Sequence, residues 1–339
     1  PEIVTRAARM GCEYADVRYL KTRFLDINLR HGVTTRIAGG EDCGLSIRVL
    51  FQGKWGFCAI NNPSAIQIRA ALDHAVQSAK ASVQNRHSYI TQQPPVTDAK
   101  FIATEISLSS LSIDERLAYL RTLEASVQAC SARISQTTLG YSEGEGYQRV
   151  CNTFGTDTQQ FLSRVRVWMK AAVQDDEGNL CIAESAVGRL GGFEVIQSLL
   201  RSGFARAIAD NALHLADARE RIPLQPYDVI VDPSVAGIIA HEVVGHNLEA
   251  DWVIRGRSLF ERLGTRIASD CVTLVDDATV DAANGSYFFD DEGIPAQRTT
   301  VVRDGILVEF LHSLETATLF GRHPNGKARA YLHQNPPIV

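Results

Sequence analysis

The chain has 339 residues and a formal net charge of −5 at pH 7, with 45% hydrophobic and 22% charged side chains. These values are typical of a globular protein and exclude a disordered chain, a collagen and a coiled-coil rod. The negative balance supplies no basic field for nucleic-acid binding, and no apolar run approaches the ~18 residues of a membrane span. The length favours two domains.

Two sequence features bear on the cellular compartment. The N-terminus has no basic stretch followed by an apolar one, so we predict no signal peptide. The seven cysteines are odd in number, scattered and without a CxxC pair. This usage favours reduced thiols in the cytoplasm over a disulfide framework.

Extended segments and helices alternate at the start of the chain. Residues 15–30 read as extended, and residues 44–60 form a predicted hairpin with its turn at Gln52-Gly53. Asn62 and Pro63 resemble an N-cap and a first helical position, which predicts a helix to about residue 81. The polar stretch 85–105 is predicted to be a loop.

The central part begins with a capping box. Ser112 followed three residues later by Glu115 predicts a helix to about residue 129. Strands are predicted at 133–141, 146–153 and 158–174, with a hairpin turn at 175–178. Helical signal returns from about 194 to 219.

The segment Pro223–Pro226 breaks that pattern, and we place the domain boundary there. The prediction is an α+β protein of two domains. Residues 1–222 form a domain of helices and antiparallel sheet, and residues 227–339 form a largely β domain. The second domain opens with a predicted strand at 227–231, and residues 232–234 then lead into an apolar helix.

That helix runs into the motif HEVVGH, from His241 to His246. Neutral imidazole nitrogens are zinc ligands, and zinc lowers the pKa of a bound water to about 7. An adjacent carboxylate, here Glu242, can take the proton of that water and pass it to a leaving amine. Two histidines beside a glutamate are therefore typical of metallopeptidases.

The spacing of the two histidines is unusual. Residues five apart lie about 140° apart around a regular α-helix, so a regular helix would not direct both rings at one ion. A π-type turn, or a helix that ends here, would bring them together, and Gly245 would ease either distortion. The spacing alone leaves another interpretation open, in which His241 makes a buried polar contact and His246 faces solvent.

The segment from His241 to Asp251 resembles the signature of the TldD/PmbA metallopeptidases, a family also labelled modulator of DNA gyrase. Further resemblances follow in order along essentially the whole chain. They are 15–18 (ADVR), 44–48 (GLSIR), 54–57 (KWGF), 276–277 (DD), 285–287 (GSY), 290–298 (DDEGIPAQR) and 325–329 (NGKAR). The intact HExxxH motif resembles the catalytic TldD type, since partners of the PmbA (TldE) type lack it.

This resemblance implies that His241 and His246 are zinc ligands and that Glu242 is the general base. It also implies a two-domain α+β fold and a homodimer, or a heterodimer with a PmbA/TldE-type subunit. The expected substrates are flexible or unfolded peptides, as in the maturation of a peptide antibiotic or the degradation of an antitoxin. An extended peptide that adds to a sheet edge would suit such substrates.

The chain departs from the family at one point. Family members continue past the equivalent of residues 336–339 and carry a third zinc ligand, a cysteine, in that continuation. None of the seven cysteines here matches it, so we expect this ligand to be absent from the sequence. Glu249, which lies three residues after His246 and on the same face if the helix continues, could substitute as a ligand, and so could Asp251. The alternative function is a non-catalytic, peptide-binding partner subunit or regulator.

The other polar residues are predicted to have structural rather than functional roles. Residues 290–293 invite a calcium site but lack the alternating oxygen ligands of an EF-hand, so a turn that binds its own backbone is predicted. His312, His323 and His333 are predicted to be surface or packing residues. The pair Gly191-Gly192 has no strand–helix context for a phosphate loop.

Overall fold

The computed structural model describes residues 1–83, 87–218 and 222–339. Its strands are β1 (Tyr14–Arg30), β2 (Val33–Phe51), β3 (Lys54–Asn61), β4 (Thr97–Phe101), β5 (Ile134–Asn152), β6 (Asp157–Gln174), β7 (Leu180–Leu190), β8 (Leu274–Asp277), β9 (Arg298–Arg303) and β10 (Ile306–Leu307). Its α-helices are α1 (Glu2–Arg9), α2 (Ala65–Ala81), α3 (Ile113–Gln128), α4 (Glu194–Leu199), α5 (Phe204–Asp217), α6 (Pro233–Ile239), α7 (Ala250–Ile254) and α8 (Leu314–Phe320). The predicted α+β class is confirmed.

One large sheet has the strand order β3-β2-β1-β5-β6-β4, with β7 also paired to β6. All of its pairs are antiparallel except β4 with β6. Side chains alternate between the two faces of a strand, so Ala15 and Ile27 of β1 lie on the same face. Ala15 belongs to a core that includes residues of α1 and α2, and Ile27 belongs to a second core with α3 and α5.

Buried charges join the opposite face of this sheet to residues 290–292. Arg48 of β2 donates to Asp16 Oδ2 at 2.6 Å and to Glu292 Oε1 at 2.7 Å. Arg18 Nη1 lies 3.0 Å from Asp291 Oδ1. Each of these five side chains is less than one-tenth exposed. The C-terminal part of the chain is therefore docked on the sheet by paired ions rather than by apolar packing alone.

A small antiparallel sheet, β10-β9-β8, lies in the C-terminal part. Val302 and Leu307 from its strands form a third core with Leu248 and Phe310. Val244 of the HEVVGH motif packs against this core, and Leu248 lies two residues after the motif. No helix among the described residues is long and apolar enough to cross a membrane.

Several predicted elements are confirmed, some with shifted bounds. The hairpin turn at Gln52-Gly53 forms, with positive φ at both residues. Ser112 caps α3 through the predicted box with Glu115. The two strands predicted at 133–141 and 146–153 are one strand, β5, because its central residues pair with β1 and β6 throughout.

Other expectations are wrong. The cap of α2 is Ser64, which forms a capping box with Gln67, rather than Asn62. Strand β4 interrupts the predicted loop at 85–105, of which residues 85 and 86 lie outside the described ranges.

The helical pattern predicted at 194–219 divides into α4 and α5 because Gly203 adopts φ +76°. Residue 219 at the end of that pattern lies outside the described ranges.

The strand predicted at 227–231 does not form. These residues belong to no strand and pair with no other, and Val229 and Ile230 are 73% and 103% exposed. An apolar, β-branched segment such as 229–231 forms a strand only where a neighbour completes the hydrogen bonds, and none of the described residues supplies one. The exposed apolar surface continues along α6 through Val235 and Ile238.

Candidate metal centre

Helix α6 leads directly into the motif. Its N-cap is Asp232, whose carboxylate accepts from the backbone N–H groups of Ser234 and Val235, and Pro233 occupies the first turn. These caps satisfy donors that the helix itself leaves unpaired, which explains why the helix begins here. The helical backbone then continues without a gap into residues 240–244.

Residues Ala240–Val244 form a π turn, which was one of the two distortions predicted from the histidine spacing. Gly245 N–H donates to the carbonyl of Ala240, five residues earlier. The wider turn brings the imidazole rings of His241 and His246 to a centroid distance of 4.5 Å, at 62° to each other. The motif therefore directs both rings to one place despite its five-residue spacing.

Gly245 is less important for this turn than the sequence suggested. Its φ of −52° and ψ of −55° are open to any residue. A Cβ at Gly245 would lie 3.4 Å from His241 Nδ1, which is an ordinary contact. The distortion is instead completed at Val244, where φ falls to −113° before a 3₁₀ turn over Gly245–Leu248.

The structure brings together the three predicted site residues. One ligand atom from each of His241, Glu242 and His246 lies within 4.8 Å of the other two. His241 and Glu242 are exposed, and the side chain of His246 is 44% exposed. The two imidazole nitrogens are donors that suit zinc, and the carboxylate lies beside them in the place of a base, so the residues present fit that ion. The described ranges contain no second such group of three.

Glu249 is hydrogen-bonded to His246 of the candidate metal centre. Its Oε1 lies 2.8 Å from His246 Nδ1, and its side chain is 18% exposed. The three-residue spacing correctly indicated proximity, but the carboxylate is engaged with the imidazole. Ala250 N–H donates to Leu311 O, and Leu311 N–H donates to Leu248 O, so the backbone around Glu249 is pinned to the C-terminal core.

Asn247 is a supporting residue that the sequence analysis missed. Its Nδ2 donates to Val243 O within the π turn, and its Oδ1 accepts from the N–H of Leu259. Asn247 therefore ties the backbone between the two histidines to the loop at residues 258–260. Its only sequence signal is its position next to His246, because the partner at residue 259 follows no recognisable spacing.

The other candidates lie in structural roles. Asp290 Oδ1 accepts from the N–H groups of Glu292 and Ile294, so residues 290–293 form the predicted turn that binds its own backbone. Burial raises the pKa of the Asp290 and Glu292 carboxyl groups. His312 and His333 are fully buried. They contact Thr316 and Asn61 respectively, while His323 is exposed.

Asp251, the second substitute ligand considered from sequence, does not belong to the group formed by His241, Glu242 and His246. It accepts from the backbone N–H of Val339, and burial raises the pKa of its carboxyl group. It lines a cavity of about 460 Å³ together with Trp55 and Glu315. A second cavity, of about 340 Å³, opens beside Glu249 and is lined by Tyr287 among others.

Comparison with known proteins gives a consistent result along the chain. The chain matches three domains of the PmbA/TldA metallopeptidase family. These are domain 1 over residues 15–83, the central domain over 106–219 and the C-terminal domain over 224–339. The HEVVGH motif lies within the third match. Together the three matches account for most of the sequence.

Individual relatives agree with this match. A metalloprotease of Methanothermobacter thermautotrophicus is 30% identical over 328 residues, which are 96% of this chain and 70% of that protein. A zinc metalloprotease TldD homolog of Saccharolobus solfataricus is 24% identical, over 99% of this chain and 73% of that protein. The crystal structure of TldE from Thermococcus kodakarensis has the same fold, with a TM-score of 0.78 at 14% identity over 100% of this chain and 75% of that one.

Proposed function

The chain belongs to the PmbA/TldD metallopeptidase family, and from that premise we propose that it is a zinc-dependent peptidase that hydrolyses flexible or unfolded peptides. The observation that carries the proposal is the convergence of His241, Glu242 and His246, whose ligand atoms lie within 4.8 Å of one another. The name of the S. solfataricus relative supports zinc as the ion.

His241 and His246 would hold the ion through imidazole nitrogens. A zinc ion bound by such ligands supplies Lewis acidity and makes water more acidic. Glu242 acts as the general base: a carboxylate oxygen accepts the proton of the attacking water and returns it to the leaving amine nitrogen. Its exposed side chain, next in sequence to His241, leaves this carboxylate open to a substrate.

The surface around the motif supports assembly with a second subunit. Apolar side chains from residue 227 through α6 are exposed, including Val229, Ile230 and Ile238. A group of exposed apolar side chains of this kind is typical of a protein interface. We propose a homodimer, or a heterodimer with a subunit of the PmbA/TldE type, in which the partner covers this surface beside the metal centre.

Simpler observations support the proposed cytoplasmic location and peptide substrate. All seven cysteines are unpaired, which suits a reducing cytoplasm. The net charge of −5 offers no basic field for nucleic acid, which favours a peptide over DNA as the proposed substrate. A flexible peptide can present its backbone in extended form, which is the form that pairs with strand edges.

The proposal is tested with Glu242→Gln, with Glu261→Gln as a matched control at an exposed position outside the motif. Unstructured peptides are incubated with each protein and the products identified by mass spectrometry, while bound zinc is measured by elemental analysis. We expect E242Q to lose about 10²–10⁴-fold in turnover and to keep its zinc. E261Q should match the wild type.

Two results would contradict this function. Hydrolysis by E242Q at the wild-type rate would remove Glu242 from the role of base. Peptide binding by the wild type without turnover, unaffected by a chelator, would indicate the alternative function of a non-catalytic partner subunit.

A further inference from the structure

We propose that Glu249 is a positioning residue that holds His246 in its Nδ1–H form and thereby commits Nε2 as the metal-binding atom. This inference rests on the proposed function, since it assigns a supporting residue to the same metal centre. Its central observation is the contact of 2.8 Å between Glu249 Oε1 and His246 Nδ1.

The direction of this hydrogen bond follows from the chemistry of the two groups. An ionised carboxylate has only acceptor sites, so the imidazole nitrogen that faces it must carry the hydrogen. A neutral imidazole has one N–H, which leaves the lone pair on Nε2. Nε2 is therefore the atom that His246 presents to a cation.

The carboxylate is itself held in place. Glu249 has φ −64° and ψ 113°, an extended residue between the 3₁₀ turn and α7. Its neighbours on both sides are hydrogen-bonded to Leu311, and its side chain is only 18% exposed. Hydrogen bonds to the C-terminal core thus hold the backbone around Glu249 in place, and Glu249 in turn orients the His246 ring.

The two histidines differ in this respect. Among the hydrogen bonds of the described residues, none involves the ring of His241, which is exposed. His246 is therefore the ligand oriented in advance, and His241 is free to adjust to the ion. Because only His246 is oriented in advance, the metal affinity of this centre depends on Glu249.

Removing such a carboxylate partner typically costs 10–100-fold in metal affinity, because the imidazole loses both its orientation and the basicity that the carboxylate confers. The variant Glu249→Leu removes the acceptor. Glu249→Gln keeps an acceptor oxygen but loses the charge, so it separates orientation from charge and preserves a polar side chain if the leucine variant folds poorly.

The experiment uses two readouts on the wild type, E249L, E249Q and the control E261Q. Zinc affinity is measured by competition with a chromophoric chelator. The hydrogen on each imidazole nitrogen is identified in the metal-free protein by ¹⁵N NMR, with His246→Asn used to assign the resonances of His246. We expect the Nδ1–H form in the wild type, and its loss in E249L with a fall of about 10–100-fold in zinc affinity. E249Q should keep the Nδ1–H form and fall by a smaller factor.

The inference is overturned if metal-free wild type carries the hydrogen on Nε2, or if E249L binds zinc as tightly as E261Q does. Neither result would touch the proposed function, which fails separately if the wild type binds no zinc or if E242Q hydrolyses peptides at the wild-type rate. The NMR readout needs no bound metal, so the positioning role can be judged even if zinc is not the ion.

Discussion

Arg48 is the residue whose loss should most disturb the docking of the C-terminal part on the large sheet. Its guanidinium lies between Asp16 and Glu292, at 2.6 and 2.7 Å, and is 8% exposed. Arg48→Met keeps the length of the side chain but leaves two buried carboxylates facing each other without a cation. Removal of one partner of a buried ion pair typically costs about 3–5 kcal/mol.

Urea denaturation measures this cost. With a slope of about 3 kcal/mol per molar urea, a loss of about 3–5 kcal/mol lowers the midpoint by about 1–1.7 M. Arg69→Met is the matched control, because the Arg69–Glu2 pair has side chains 60% and 76% exposed. Its midpoint should move by less than about 0.3 M, since exposed pairs contribute about 0–1 kcal/mol.

The pH dependence gives the sharper test. Burial raises the pKa of Glu292, and Arg48 opposes that rise, so R48M raises the pKa of Glu292 further. A carboxyl whose folded-state pKa exceeds its unfolded value of about 4.3 destabilises the fold as pH rises through the folded-state pKa. The deficit of R48M should therefore shrink as pH falls from 7 towards 4. A midpoint equal to that of R69M at pH 7, or a deficit that grows in acid, would refute the reasoning.

Three further predictions concern stability. A Cβ at Gly56 would lie 2.0 Å from a carbonyl oxygen of α2. Gly56→Ala should therefore lower stability by about 1–3 kcal/mol in urea denaturation, and an unchanged midpoint would contradict this. Ser112→Ala removes the cap of α3 and should cost about 1 kcal/mol by the same assay, with Ser112→Gly recovering most of it. Arg149 lowers the pKa of Asp157, so Asp157→Asn should cost no more than about 1 kcal/mol at pH 7. That difference should fade as pH falls below about 3.9 and the native carboxylate is protonated, which denaturation at several pH values would check.

Local signals in the sequence predicted the features that depend on a few neighbouring residues. The box at Ser112, the turn at Gln52-Gly53 and the π turn between His241 and His246 each arise from hydrogen bonds or geometry within about five positions. The family resemblance supplied the expectation of a metallopeptidase, and the comparisons support that family.

Features that depend on distant partners were not predictable. The ion pair between Arg48 and Glu292 joins positions 244 residues apart, and no periodicity encodes it. The failed strand at 227–231 shows the converse, because its residues have strand-like β-branched side chains but lack a pairing neighbour among the described residues. Glu249 falls between these cases. Its spacing placed it near His246, but only the fold shows that it contacts the ring.

The π turn has a consequence for how this motif tolerates insertions and deletions. Deleting one residue between His241 and His246 would leave the histidines four apart, which on a straight α-helix places them about 40° apart on the same face. The π turn absorbs one extra residue by local bulging, so the five-residue and four-residue spacings can serve the same two-ring geometry. Insertion or deletion of one residue therefore converts one histidine spacing into the other. Related sites can accordingly differ by one residue between the two histidines.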